Sequence, residues 1–98
     1  MKTIMNRNGN ELTIAVEGRL DTLSAPDLED QLDDLLQGVE RLTFDFEKLE
    51  YISSAGLRVL MTAMQILDEP GSVTVRSCNA DVMEVLEFTG FVDDLTVE

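Results

Sequence analysis

The sequence predicts a mixed α/β domain built on one sheet. Segments in which apolar and polar residues alternate are interleaved with segments in which leucines and valines recur at helical spacing, giving the order β-β-α-β-α-β-α. Strands joined through helices imply right-handed parallel crossovers, and the direct link between the first two strands adds an antiparallel pair. A domain of this size buries roughly 60 to 70% of its unfolded surface. With 98 residues, 44% of them hydrophobic, one core needs no disulfide or metal to staple it. The chain reads as a single domain over residues 1–98, without repeats or low-complexity segments.

Each element has its own signal. Ile4 and Met5 precede Asn8-Gly9, a pair that supplies the positive φ angles of a tight hairpin turn. Leu12, Ile14 and Val16 then alternate with Thr13, Ala15 and Glu17, and Gly18 closes that strand. Ser24 is placed to cap a first helix with Pro26 in its opening turn, carried by Leu28, Leu32, Leu35 and Leu36 and stopped at Gly38. Leu42, Phe44 and Phe46 form the next strand, and residues 47–50 a loop. A second helix follows Ser53-Ser54, with Leu57, Leu60, Met61, Met64 and Leu67 as its apolar stripe. Pro70-Gly71 is a turn, Val73 and Val75 mark a strand, and Asn79 caps a third helix bearing Val82, Val85 and Leu86. Residues 91–98 pack as a tail or add a short strand.

Composition removes several functions. Twenty Asp and Glu stand against seven Lys and Arg, a net charge of -13. That opposes nucleic acid and anionic membranes, which both draw on clustered cations. With no histidine, Ser-His-Asp and Cys-His catalysis and His-ligated zinc are excluded. Cys78 is the only cysteine, so no intrachain disulfide forms, which fits a reducing compartment. No segment approaches a membrane span or a secretory signal, and the expectation is a soluble, cytoplasmic protein.

The most informative stretch runs from Phe44 to Leu60. A strand ends, a loop follows, and two serines sit where a helix begins. Helix N-termini present unpaired N–H groups and the positive end of the dipole, so Ser53-Ser54-Ala55-Gly56 has the physics of a phosphoserine or anion site. The same residues serve a purely structural reading, because Ser is a preferred N-cap and Gly permits close packing. Arg58 is the single charged residue between Tyr51 and Leu67, in a chain that is 28% charged. This helix therefore meets a partner, with Met61 and Met64 as adaptable contacts, or is largely buried. The acids of the first helix are read as a solvated face rather than as catalytic carboxylates.

The stretch Phe46-Glu47-Lys48-Leu49-Glu50-Tyr51-Ile52-Ser53-Ser54-Ala55-Gly56-Leu57-Arg58-Val59-Leu60 resembles the signature of the STAS family, the sulfate transporter and anti-sigma factor antagonist domains. Upstream, Gly18-Arg19-Leu20-Asp21-Thr22 with Ser24-Ala25-Pro26 resembles the family's second motif. The resemblance extends over the whole chain in length and element order. It implies a four- or five-stranded mixed sheet with helices mostly on one face. It also implies a free-standing anti-sigma factor antagonist that is not an enzyme and needs no cofactor. The unphosphorylated form of such a protein binds an anti-sigma factor that is also a serine kinase of the GHKL type. The kinase phosphorylates a serine in the motif and the complex dissociates; a metal-dependent serine phosphatase restores the active form.

Matched position by position, the acceptor is Ser54, with Ser53 as the secondary candidate. Gly56 and Leu57 match the pattern, while Ser53 stands where the family has Asp and Ala55 where a second hydroxyl is usual. Asp21 matches the acidic residue of the second motif, and Asp21, Thr22, Ser53, Ala55, Gly56, Leu57, Arg58 and Met61 are the expected partner-binding residues of a domain that is a monomer when free. Two other readings accompany this one. One is a non-switching adaptor, as in a lipid-transport ABC system or a stressosome-like scaffold. The other is a nucleotide-binding protein, opposed by the negative charge and the lack of a phosphate-binding loop.

Overall fold

The computed structural model describes residues 1–69 and 72–98, so the turn read at Pro70-Gly71 lies outside the described residues. Lys2–Asn8 (β1) and Glu11–Leu20 (β2) form the opening antiparallel hairpin, paired from Lys2↔Glu17 to Asn8↔Glu11. Its turn falls one residue later than the Asn8-Gly9 pair suggests. Asn8 still pairs, and Gly9 alone carries the positive φ, at +64°. The Asn10 carbonyl accepts from the Glu40 and Arg41 amides, which ties this turn to the start of the next strand.

Arg41–Asp45 (β3) runs parallel to β2, Val73–Arg76 (β5) parallel to β3, and Thr96–Val97 (β6) parallel to β5. Leu49–Ile52 (β4) pairs in parallel with the far end of β2. The described sheet thus has six strands, ordered β1-β2-β3-β5-β6 with β4 beside β2. The additions to the predicted count are β4 and the short β6. Residues 49–52 give no strand signal in the sequence, because Leu49 and Ile52 are buried while Glu50 and Tyr51 between them are exposed, which breaks the two-residue period.

Gly18 does not end β2. The strand passes through it at φ +91°, and the pairing jumps from Gly18↔Leu49 to Arg19↔Tyr51, leaving Glu50 as a bulged extra residue. Beyond this irregularity β2 continues to Leu20. The two motif segments are therefore neighbouring parallel strands at their ends.

The helices are Ala25–Leu35 (α1), Ser54–Leu67 (α2) and Ala80–Phe88 (α3). Leu12, Ile14 and Val16 of β2, Leu42 and Phe44 of β3 and Val73 and Val75 of β5 are all buried, and the alternate positions are half-exposed or exposed. One face of the sheet thus holds the core, and Leu28 and Leu32, Val59 and Leu60, and Val82 and Leu86 bring the three helices onto it as one cluster. Each such side chain contributes about 1.5–3 kcal/mol on burial. The open face carries Thr13, Thr43, Thr74 and Thr96 in register.

Two local expectations are corrected. The buried face of α2 is Gly56, Leu57, Val59, Leu60 and Ala63, so Met61 faces outward at 42% exposed. Small residues, silent in a leucine-methionine stripe, let this helix lie close to the sheet. Ser24 precedes α1 but does not cap it through its side chain, because its own backbone is already helical, at φ -97° and ψ -34°. Its hydroxyl instead accepts from the Asp21 amide at 3.0 Å and donates to the Arg19 carbonyl at 2.7 Å. Asn79 does cap α3, its Oδ1 accepting from the Val82 amide at 2.8 Å.

Candidate functional site

The two motifs meet through the backbone. Leu20 pairs with Ile52, and the Ser53 amide donates to the Leu20 carbonyl at 3.0 Å. Asp21 and Ser54 are the next residues along, so both leave the sheet at the same end. Gly56 makes the close approach possible. A Cβ there would stand 2.6 Å from Ile52 Cγ1 and 2.7 Å from the Leu20 oxygen, distances no side chain tolerates. Its role is space and not a special φ.

Asp21 organises the exit from β2. Its Oδ1 accepts from the Leu23 amide at 3.0 Å and the Ser24 amide at 3.1 Å, closing a turn before α1. The Ser24 amide first, then the Leu23 amide, the Ser24 hydroxyl and Arg19, hold its carboxyl below the ordinary carboxylate value against an opposing desolvation effect. Arg19 Nε lies 3.5 Å from Asp21 Oδ2, and its guanidinium sits over the Tyr51 ring at 4.4 Å. This Arg19–Tyr51 contact follows directly from their pairing across β2 and β4.

At the start of α2 the two serines differ. Ser53 is the N-cap, half-buried, with its Oγ accepting from the Ala55 amide at 3.2 Å. Ser54 is the first residue of the helix and is exposed. Ser54, Arg58, Met61 and Gln65 form the outward stripe of α2 at helical spacing. Gly56 is buried and Leu57 is 8% exposed, so these two seat the helix against the sheet. Ala55 is half-buried, and Thr22 is exposed in the turn beside Asp21. Arg58 is tied to α1: its Nε donates to Glu29 Oε1 at 3.2 Å, and the Thr62 hydroxyl donates to Oε2 at 2.8 Å. Glu29 is thus a strut between helices, unlike the exposed Asp27, Asp30, Asp33 and Asp34 around it.

The family model described as "Mlab, STAS domain" matches residues 5–97. The chain belongs to the STAS-domain family. A Bordetella bronchiseptica relative, provisionally named anti-sigma factor antagonist BtrV, is 34% identical over 94 residues, covering 94% of this chain and 81% of the relative. An anti-sigma factor antagonist from Mycobacterium paratuberculosis superposes with a TM-score of 0.86 at 20% identity, covering 98% of this chain and 83% of that one. The Bacillus cell fate determinant SpoIIAA in its phosphorylated form gives 0.76 at 16% identity, over 99% and 91% of the two chains. The likeness to these solved structures is one of fold.

In this STAS domain the sequence points to Asp21 and Ser54 but not to Arg19, Tyr51 or Glu29. The contact of the first two depends on β4, whose residues carry no strand pattern, and one acid among the five of α1 gives no signal of its own. Burial pushes the Cys78 thiol above its ordinary value, so it stays protonated at neutral pH. Among the described residues, no group of three or more His, Cys, Asp or Glu is placed to hold a metal ion, and no helix is long and apolar enough to cross a membrane.

Proposed function

We propose that this domain is an anti-sigma factor antagonist switched at Ser54. Unphosphorylated, it binds an anti-sigma factor that is also a serine kinase, through Asp21, Thr22 and the outward face of α2, chiefly Ser54, Arg58 and Met61. The observation that carries this reading is the placement of an exposed serine at the first position of α2, beside the Asp21 turn. Ser53 already spends its oxygen on the Ala55 amide and is half-buried, which favours Ser54 as the acceptor.

The chemistry of the switch follows from charge. A phosphate adds roughly -1.5 to -2 charge and three acceptor oxygens. At the first turn of α2 the free amides and the dipole accommodate it, so the helix persists. Its effect falls on the interface, through bulk, desolvation and repulsion from Asp21. Ser53 offers the N-cap that an Asp at this position would offer, which supports an intact helix start despite the departure from the family pattern. The domain is a substrate of the kinase rather than a catalyst. Incubation with ATP and a cognate GHKL-type kinase, followed by peptide mass spectrometry, tests this. Phosphate on Ser54 is expected, and an unmodified chain beside a kinase active on a control substrate overturns it.

A non-switching adaptor is the second reading, favoured by Ser53 in place of the usual Asp. It is distinguished by a partner complex that is indifferent to Ser54→Asp.

A further inference from the structure

We infer that the groove between β4 and α3 is a separate docking site for a basic peptide segment bearing large apolar side chains. The groove has a volume of about 430 Å³. Ile52 and Val82, both buried, form its floor, and Tyr51, Val85 and Phe88 rise along it. Phe88 is 92% exposed, so its ring contributes almost nothing to the core. The Asn79 side chain, donating from Nδ2 to the Leu49 carbonyl at 2.9 Å, holds the beginning of α3 against β4. At the other end Thr89 Oγ1 donates to the Val85 carbonyl at 2.8 Å, fixing the turn that carries Phe88. The cleft is thus held open by the fold itself, as pre-formed sites are.

Charge selects the occupant. Among the described residues the groove is lined by three carboxylates, Glu50, Asp81 and Glu84, and by no cation. Glu50 is the bulged residue of β4. Arg19, the near cation, is already engaged by Asp21 and the Tyr51 ring. A second copy of this chain brings another -13, and nucleic acid or an anionic bilayer brings more negative charge still. An apolar cleft with an acidic rim matches a segment whose leucines or aromatics fill the cleft while its lysines or arginines meet the rim. This inference stands apart from the Ser54 switch.

The test uses the full chain, isotopically labelled for NMR, and two synthetic probes of about twelve residues, some 18 Å long as helices. One is a Lys/Leu amphipathic peptide; the other has every Leu replaced by Ser. The Lys/Leu peptide is expected to shift the amides of Ile52, Val85 and Phe88 and to bind at least about tenfold tighter than the Lys/Ser peptide. Phe88→Ser, which removes an exposed ring and leaves the core intact, is expected to weaken it about fivefold or more. Leu23→Ser, at an equally exposed apolar site elsewhere (91%), leaves binding unchanged. Equal binding of both probes, or shifts spread over the acids of α1, overturns the proposal as mere charge attraction. A free chain that sediments as a dimer, and becomes monomeric on Phe88→Ser, overturns it in favour of a second copy.

Discussion

The Ser53 amide donates to the Leu20 carbonyl at 3.0 Å, and through that bond the residue before the candidate phosphoacceptor is fixed to the residue before Asp21. Two segments more than thirty residues apart in sequence become one surface. The bond depends on α2 starting hard against β2, and that depends on Gly56.

Gly56→Ala is expected to destabilise the domain by about 1–3 kcal/mol, the usual cost of forcing a methyl group into a packed interior. Backbone oxygen and the buried Ile52 and Leu20 side chains surround the site, so there is little to yield. Urea denaturation measures the change. A loss below about 0.5 kcal/mol, the size of an ordinary surface substitution, contradicts the close seating of α2.

Asp21 gives a pH signature. Its folded carboxyl protonates below the ordinary carboxylate value because of the Ser24 and Leu23 amides and Arg19. The unfolded chain takes up the proton first, at about pH 3.9. The contribution is therefore present above that value and is lost as pH falls through the lower, folded value. Asp21→Asn removes this dependence while keeping an oxygen to accept the turn amides. Urea midpoints of the two proteins are expected to differ at pH 6 and to converge as pH falls below the ordinary carboxylate range. A gap that does not change with pH contradicts the assignment.

Much of this architecture is legible in the amino-acid pattern. The period-two strands at Leu12–Val16 and Leu42–Phe44, the Asn79 cap and the crossover order are found where the pattern puts them, because local signal and tertiary burial agree there; Phe46 is buried but lies just past the end of β3. β4 is not legible, since its four residues pair on one side only and it carries a bulge at Glu50. The orientation of α2 is hidden as well, because Gly56 and Ala63 bury their face by smallness. At the site, Ser54 and Asp21 stand out by type and position, but their proximity comes only from the β2–β4 register. The Glu29 strut depends on side-by-side packing of α1 and α2, which no local pattern encodes.

Asn79 has two duties and a graded test. Asn79→Ala loses both the cap on Val82 and the bond to Leu49, for an expected cost of about 1–3 kcal/mol. Asn79→Asp keeps an accepting oxygen for the cap and loses the donor, so it is expected to fall between Ala and the native Asn. Thermal or urea unfolding ranks them. Asp as harmful as Ala shows that the cap contributes nothing.

The surface acids predict a kinetic effect on partner binding. Exposed Asp27, Asp30, Asp33 and Asp34 on α1 flank the low-charge α2 and should steer a basic partner surface toward it. Stopped-flow association with the proposed anti-sigma factor kinase is expected to slow markedly as salt rises from about 0.05 to 0.5 M, where screening shortens to a few ångströms. A salt-indifferent on-rate contradicts steering.

The most direct test is calorimetric titration of one kinase preparation with three forms of the domain: unmodified, phosphorylated on Ser54, and Ser54→Ala. Unmodified and Ser54→Ala chains are expected to bind alike, and the phosphorylated chain at least about a hundredfold more weakly, a difference near 2.7 kcal/mol. Equal affinity of the phosphorylated and unmodified forms would contradict a switch at Ser54.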